Sequence, residues 1–361
     1  MTEGRKVVIE AFGERPMDAV ERHLRVVAQP RPEPEALAPR DVLIAVKSSC
    51  VGWVDLLMTS GQYQHMPAPP YTPGMEYAGE VAWVGPEVTG VKVGDRVIGD
   101  AFRVGPRSLG DYQGWGGFAS WAVAPEEAVI PLPGPLDFDQ GACLLGAYET
   151  AWHCLIHRGR LRRGETVLVH GASGATGLAA VHVAKKVGAT VIATGRSEDK
   201  LRVVEAQGAD HVIATGEGGF RDAVKALTGG AGVDVVYDPV GGEVSLESLR
   251  CVRFGARFLI VGWASTPFVA RGKGQRGAPN ANVLPTNLIM MKSLDVLGCP
   301  AVISAHRDPE MRARRLAEVL AWAEEGAITP LVAERRPLEE AAQAMKEKSW
   351  RRAGGALSLR P

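Results

Sequence analysis

The run Gly171-Ala172-Ser173-Gly174-Ala175-Thr176-Gly177 carries glycines at every third position. Glycine is needed where a backbone turns tightly, approaches a pyrophosphate closely, or lets a helix pack on a strand. The run lies between Thr166–His170, whose apolar residues predict a strand, and Thr176–Lys186, which predicts a helix. A helix N-terminus presents free N–H groups and the positive end of its dipole to phosphates. A glycine turn without a ligand is the plain alternative; the strand–turn–helix setting favours a nucleotide. About twenty residues further on, an NAD site usually has Asp or Glu to accept from the ribose 2′-OH. This chain has Thr194 there, then Arg196, Ser197 and Lys200. A guanidinium and an ammonium match a 2′-phosphate, and the Ser197 hydroxyl can donate to it. Solvated cations beside a Ser197 helix cap explain the same residues without a ligand, and both can hold at once. The expectation is NADP(H) rather than NAD(H).

These groups need a scaffold. A chain of 361 residues allows two domains. Its 43 glycines and 24 prolines are spread between short apolar runs, which implies many turns and strands. Residues 1–135 read as β-rich, with strands at Val42–Lys47, Glu80–Val84, within Val91–Gly99, at Phe118–Val123 and at Ala128–Pro131. That pattern suggests a barrel-like or sandwich domain. After Pro135 comes a long helical stretch, Asp139–His157. Strands and helices then alternate from Thr166 to Val261. The strands there are too apolar for a solvated face, so the fold class is α/β, a doubly wound parallel sheet covered on both sides. Ser293–Leu297 adds a strand, Pro309–Glu325 a helix, and residues 329–361 a strand, a short helix and a strand. The expected division is 1–135, completed by 300–361, and a nucleotide-binding domain at 136–299.

Lys+Arg and Asp+Glu both number 41, which argues against nucleic acid as a partner, since phosphate neutralisation needs excess cations. No apolar run of 18 residues suggests a membrane span. Met1–Glu10 has no apolar h-region, so it does not read as a secretory signal. The five cysteines, at 50, 143, 154, 251 and 299, contain no Cys-x-x-Cys pair and fit a reducing cytoplasm.

The chain resembles the medium-chain dehydrogenase/reductase superfamily, most of all its zinc-free branch of NADPH:quinone oxidoreductases and enoyl reductases. The likeness covers almost the whole chain. It rests on Gly52-Trp53-Val54-Asp55, Ser60-Gly61-Gln62-Tyr63, Pro73-Gly74-Met75-Glu76-Tyr77-Ala78-Gly79 and Val93-Gly94-Asp95-Arg96-Val97. Glu149-Thr150-Ala151-Trp152, the glycine turn and Gly232-Val233-Asp234-Val235-Val236-Tyr237-Asp238 continue it. The resemblance implies a Rossmann domain plus a GroES-like β-barrel catalytic domain, and a homodimer paired through edge strand Ser293–Leu297. Zinc-dependent relatives place Cys and His where this chain has Gly52 and Met75, and their four-cysteine lobe is missing. Glycine has no donor atom and a thioether is a poor zinc ligand, so no metal is expected. Zinc-free quinone reductases often carry Asn at the Gly52 position, so a polar contact is lost there and Trp53 can wall the site instead.

Without Lewis-acid polarisation, alcohol oxidation is disfavoured. What remains is hydride delivery from NADPH to a small-molecule acceptor: a quinone, an enone or an enoyl thioester. Tyr63 matches the enoyl-reductase tyrosine that assists proton delivery, and Thr150 the residue contacting the nicotinamide. Tyr63 packing on a loop and Thr150 bonding its own helix backbone are the plain alternatives. The expected cofactor contacts are Gly171, Ser173, Gly174, Ala175, Thr176, Gly177, Arg196, Ser197, Lys200, Thr150 and Gly262; the expected pocket is Trp53, Tyr63 and Trp115. The aromatic, glycine-rich stretch 99–121 can wall a flat substrate or pack on the barrel. The cations of 271–276 can meet a phosphate-bearing thioester carrier or stay solvated. His170 reads as a satisfied strand-end histidine. The competing activities are an enoyl-thioester reductase and, in another class, a catalytically silent NADPH-binding sensor.

Overall fold

In Gly4–Ile9, buried Val7 and Ile9 alternate with half-buried Lys6 and Val8. That period-two pattern makes a half-buried strand, β1, which pairs antiparallel with β2, Leu24–Gln29. Helix Pro16–Arg22, opened by its proline, joins them. The computed structural model describes residues 4–63, 65–215, 219–265, 282–349 and 354–361. Of these, residues 4–144 and 330–361 form one unit and 145–329 the other.

The first unit is built on β3, Asp41–Cys50, whose neighbours are β4, Tyr77–Val84, and β6, Trp121–Pro125. The sheet extends from β4 through β5, Arg96–Gly99, to β7, Val129–Pro131. Two register shifts in the β3–β4 ladder, at Leu43/Ile44 and Val46/Ser48, add local bend and twist. Val42, Ile44, Val81, Val97 and Ala122 fill one core. Val7, Ile9, Leu56, Met58, Tyr71 and Phe118 belong to a second. Helix Phe138–Ala142 is tied to the sheet by buried Asp139, which accepts from Ser48 Oγ at 2.7 Å, Ser358 Oγ at 2.9 Å, Arg335 Nε at 2.8 Å and the Arg360 guanidinium. Burial opposes its charge, but these donors win and hold the carboxyl well below the usual range.

The second unit is a six-stranded parallel sheet in the order β10-β9-β8-β11-β12-β13. Its strands are β8 Thr166–Val169, β9 Thr190–Gly195, β10 His211–Ala214, β11 Val233–Asp238, β12 Val252–Ile260 and β13 Asp295–Gly298. Val167, Leu168, Val169, Val191, Val235 and Val236 are all fully buried, as strands covered on both faces require. The chain runs outward from β8 through β9 to β10, then resumes on the other side of β8 at β11. In such a sheet ligands bind at the carboxyl ends of the strands, at this switch point. The chain then returns to the first unit, where β15, Ala356–Arg360, pairs antiparallel with β3 and parallel with β14, Val332–Pro337.

Three expectations change. Residues 300–329 lie in the second unit rather than the first, and the first division falls at Leu144 instead of 135. Helix Pro309–Glu324 stays with the second unit because Arg312 and Arg315 bind Glu149 there, and Glu318 takes the Trp152 indole N–H at 2.7 Å. The long helix Asp139–His157 is broken into Phe138–Ala142, Leu145–Trp152 and a π-helical turn, His153–Arg158. Gly141 weakens the first piece: a Cβ there would stand 2.2 Å from Leu132, so packing demands a poor helix former. The basic stretch 271–276 lies outside the described residues.

Candidate active site

The glycine turn directly follows β8. Gly171 takes φ +57°, the left-handed region, and the Ala172 amide donates to the Thr194 carbonyl at 3.1 Å. Gly174 is the N-cap of helix Ala175–Val187. A Cβ on Gly177 would lie 2.4 Å from the Gly171 oxygen, so this helix–turn approach admits glycine alone. A Cβ on Gly174 would meet nothing nearer than 3.5 Å, which leaves the backbone open above the helix start. Ala175, Thr176 and Gly177 sit in the first turn, where amides have no intrahelical acceptor. Ser173 is half-buried in the turn itself. The cradle fits a diphosphate.

At the end of β9, Thr194 is 2% exposed and turned inward. Its Oγ1 is 2.7 Å from His170 Nδ1, and His170 Nε2 is 2.7 Å from Ser248 Oγ. Burial lowers the His170 pKa, with Asp238 and Glu247 opposing, so the imidazole stays neutral. His170 is therefore a satisfied structural histidine. Arg196 is exposed, Ser197 is the N-cap of helix Glu198–Ala206 without a side-chain capping bond, and Lys200 is half-buried. Gly262 lies just past β12, its amide directed at the Asp238 carbonyl at 3.3 Å. Thr150 donates its hydroxyl to its own helix, to Gly146 O at 2.7 Å, and retains lone pairs for a second partner.

In the first unit, Trp53 begins helix Trp53–Met58 with Gly52 as its N-cap. Asp55 is 1% exposed and accepts three backbone N–H groups: Gly52 at 2.9 Å, Gly74 at 3.0 Å and Met75 at 3.1 Å. Burial pushes its carboxyl up to about 6, although those amides and the charge of Arg107 favour the anion. Met75 Cε is 3.6 Å from where a Gly52 Cβ would be. The two positions expected to lack zinc ligands thus adjoin, and together they offer no donor beyond one thioether. No group of three or more His, Cys, Asp and Glu side chains suited to a metal ion occurs among the described residues. At these two positions the chain supplies neither thiolate nor imidazole to a zinc ion.

Trp53 and Tyr63 pack against the same core, whereas Trp115 packs with Tyr112 against the other. Sequence reading missed Arg107, a charged residue only 7% exposed within the 99–121 stretch. Its guanidinium lies over the Phe102 ring at 4.5 Å, and its positive charge acts on the Tyr63 phenol. Burial raises the Tyr63 pKa and Arg107 partly offsets this, so the phenol keeps its proton at neutral pH. The available signal was an arginine within a stretch of glycines and aromatics, though Arg103 in the same stretch is exposed and the sequence does not tell the two apart.

A parallel sheet with a glycine cradle at its switch point, joined in sequence to a barrel-like unit, defines a nucleotide-dependent oxidoreductase class. Residues 38–134 match the alcohol dehydrogenase GroES-like domain and 175–316 the zinc-binding dehydrogenase domain. The mouse quinone oxidoreductase-like protein 2 is 32% identical over 90% of this chain and 86% of its own. Mouse quinone oxidoreductase is 35% identical over 85% and 84%. A mycobacterial protein solved in complex with NADPH superposes with a TM-score of 0.78 at 28% identity, covering 99% of this chain and 100% of its own. The chain belongs to the medium-chain dehydrogenase/reductase superfamily, in its quinone oxidoreductase branch.

Proposed function

We propose that this oxidoreductase uses NADPH to reduce quinones or other α,β-unsaturated carbonyl compounds, without a metal. The observation that carries the reading is the cradle at 171–177, beside a strand that ends in Thr194-Gly195 instead of an acid and is followed by Arg196 and Lys200. Gly174 and the amides of 175–177 would hold the diphosphate, and Arg196, Ser197 and Lys200 the 2′-phosphate. When bound, the dihydronicotinamide supplies a hydride. Tyr63 is the proton donor of choice, since its phenol stays protonated, and Thr150 is the residue proposed to contact the nicotinamide. Gly52 and Met75 support the metal-free reading because neither is a competent zinc ligand. The relatives named quinone oxidoreductase support the acceptor class. Titration with NADPH and NADH, followed by a panel of a quinone, a free enone and an enoyl-CoA, tests all of this. Equal affinity for the two nucleotides removes the cofactor assignment, and turnover of the thioester alone moves the chain to the enoyl reductases.

A homodimer is part of the proposal. β13 is an edge strand, and the Gly255 amide donates to the Lys292 carbonyl at 2.9 Å beside it. That bond brings exposed Phe254 and Met291 to one end of the edge, an apolar surface suited to a second copy. Light scattering that gives a monomer mass at micromolar concentration rejects it.

A further inference from the structure

Arg107 is a buried cation of the first unit. It is 7% exposed, and among the described residues it makes no ion pair. Buried charges are normally matched by an opposite charge, because desolvation is otherwise uncompensated. Asp55, the carboxylate whose field it feels, directs its oxygens at the amides of Gly52, Gly74 and Met75. Phe102 covers one face of the guanidinium at 4.5 Å. Nε reaches the Ala101 carbonyl at 3.4 Å, a long and weak contact. A guanidinium has five donors, and among the described residues the one hydrogen bond it makes is to that carbonyl, with its charge also felt by the Tyr63 phenol. An oxygen bearing negative charge is what the arrangement lacks.

The reading that follows rests on the proposed reductase activity and names how the acceptor is held. We propose that Arg107 is a catalytic residue: its guanidinium binds the carbonyl oxygen of a conjugated acceptor and holds the charge that develops there, with Tyr63 beside it as proton donor. Hydride addition at the conjugated carbon breaks the π bond, and the displaced electron pair moves to the carbonyl oxygen. The Tyr63 O–H bond then breaks and its proton passes to that oxygen, giving an enol; from a quinone this enol tautomerises in water to the hydroquinone, the hydride-bearing carbon losing a proton as the second oxygen gains one. The phenolate left behind lies against the Arg107 charge until a solvent proton restores it. A planar cation can serve the oxyanion and the phenolate in turn, which a backbone N–H cannot do for both. The site therefore favours acceptors whose activating group is a carbonyl oxygen.

Arg107→Met and Arg107→Lys test this, with 1,4-benzoquinone and 2-cyclohexenone as acceptors. Removing one oxyanion donor is expected to lower kcat by about 100-fold in the methionine variant. Lysine restores charge without the fork and should lose about 10-fold. In both variants NADPH affinity, read by fluorescence quenching, and the KM for NADPH stay within about 3-fold of wild type. Loss of the cation also raises the Tyr63 pKa, so the alkaline limb of the kcat profile moves to higher pH; a structural defect would not move it. Should the methionine variant fail to fold, by circular dichroism melting, the lysine variant carries the same test. A folded variant that turns over like wild type on both acceptors overturns the proposal alone. A wild-type protein that binds NADPH yet consumes neither acceptor overturns it together with the reductase reading.

Discussion

His170 in the second unit and Arg107 in the first are both buried titratable side chains, and they are treated in opposite ways. His170 has a partner on each ring nitrogen, at 2.7 Å each, and rests against Phe220. Arg107 has an aromatic face and a long carbonyl contact, but no ion pair among the described residues. A saturated buried network holds a fold together, whereas an unmatched one marks where a ligand completes the pairing. On the proposed reading, the second unit would hold the cofactor with backbone amides and surface cations, and the first would hold the acceptor with a phenol and a guanidinium.

The largest effect expected from this contrast is at Tyr63. Tyr63→Phe removes the proton donor and should lower turnover by about 10²- to 10⁴-fold while NADPH still binds. Stopped-flow or steady-state rates near wild type would place Tyr63 among packing residues and weaken the contrast at once. Next is the saturated side. Glu149 is 4% exposed and binds Arg315, itself 1% exposed, at 2.7 Å and Arg312 at 3.1 Å. Glu149→Ala removes the carboxylate that Arg315 and Arg312 share, and chemical denaturation should show a loss of about 3–5 kcal/mol. A loss under 1 kcal/mol would mean that the second unit tolerates an unmatched cation too, and the comparison would fall. Replacing Arg196 and Lys200 together by Ala should weaken NADPH binding about 10- to 100-fold and leave NADH nearly unchanged; calorimetry giving equal losses would return these cations to the solvent.

The smallest effect concerns His153, fully buried with neither ring nitrogen hydrogen-bonded and stacked on His157 at 5.3 Å. Burial first, then the charges of Arg315, His157 and Arg158, lower its pKa to about 4. The unfolded chain therefore takes up the proton first as pH falls, so the stability His153 leaves intact above about 6.5 drains away toward pH 4. His153→Phe should flatten that slope by about 1–3 kcal/mol in denaturation curves at pH 7 and pH 4.5. An unchanged slope would show that the imidazole finds a partner in solution.

Regular, local signals are legible in the sequence itself. The apolar strands β8, β9 and β11 and the glycine triplet at 171–177 each announce themselves within a few residues, because burial on both faces and close backbone approach restrict residue type at the position itself. Helix Trp53–Met58 and the hairpin β1–β2 were missed, since one is only six residues long and the other is interrupted by a helix between its strands. Arg107 was missed for a different reason. Its burial comes from Phe102, Tyr63 and the surrounding loop, and charge desolvation leaves no mark on local periodicity. The Thr150 hydroxyl could have gone to a ligand or to its helix, and only the geometry settles that it already serves Gly146. Residues 300–329 were misassigned because the Glu149–Arg315 attachment spans 166 positions.

The inward turn of Thr194 bears on any attempt to retool the nucleotide preference. Installing the missing carboxylate at that position would thrust an anion into a site 2% open to water, against a neutral imidazole that would lose one of its two partners. Conversion toward the non-phosphorylated dinucleotide has to begin at Arg196, on the outer lip, where an acid can be added without unpicking the sheet beneath it.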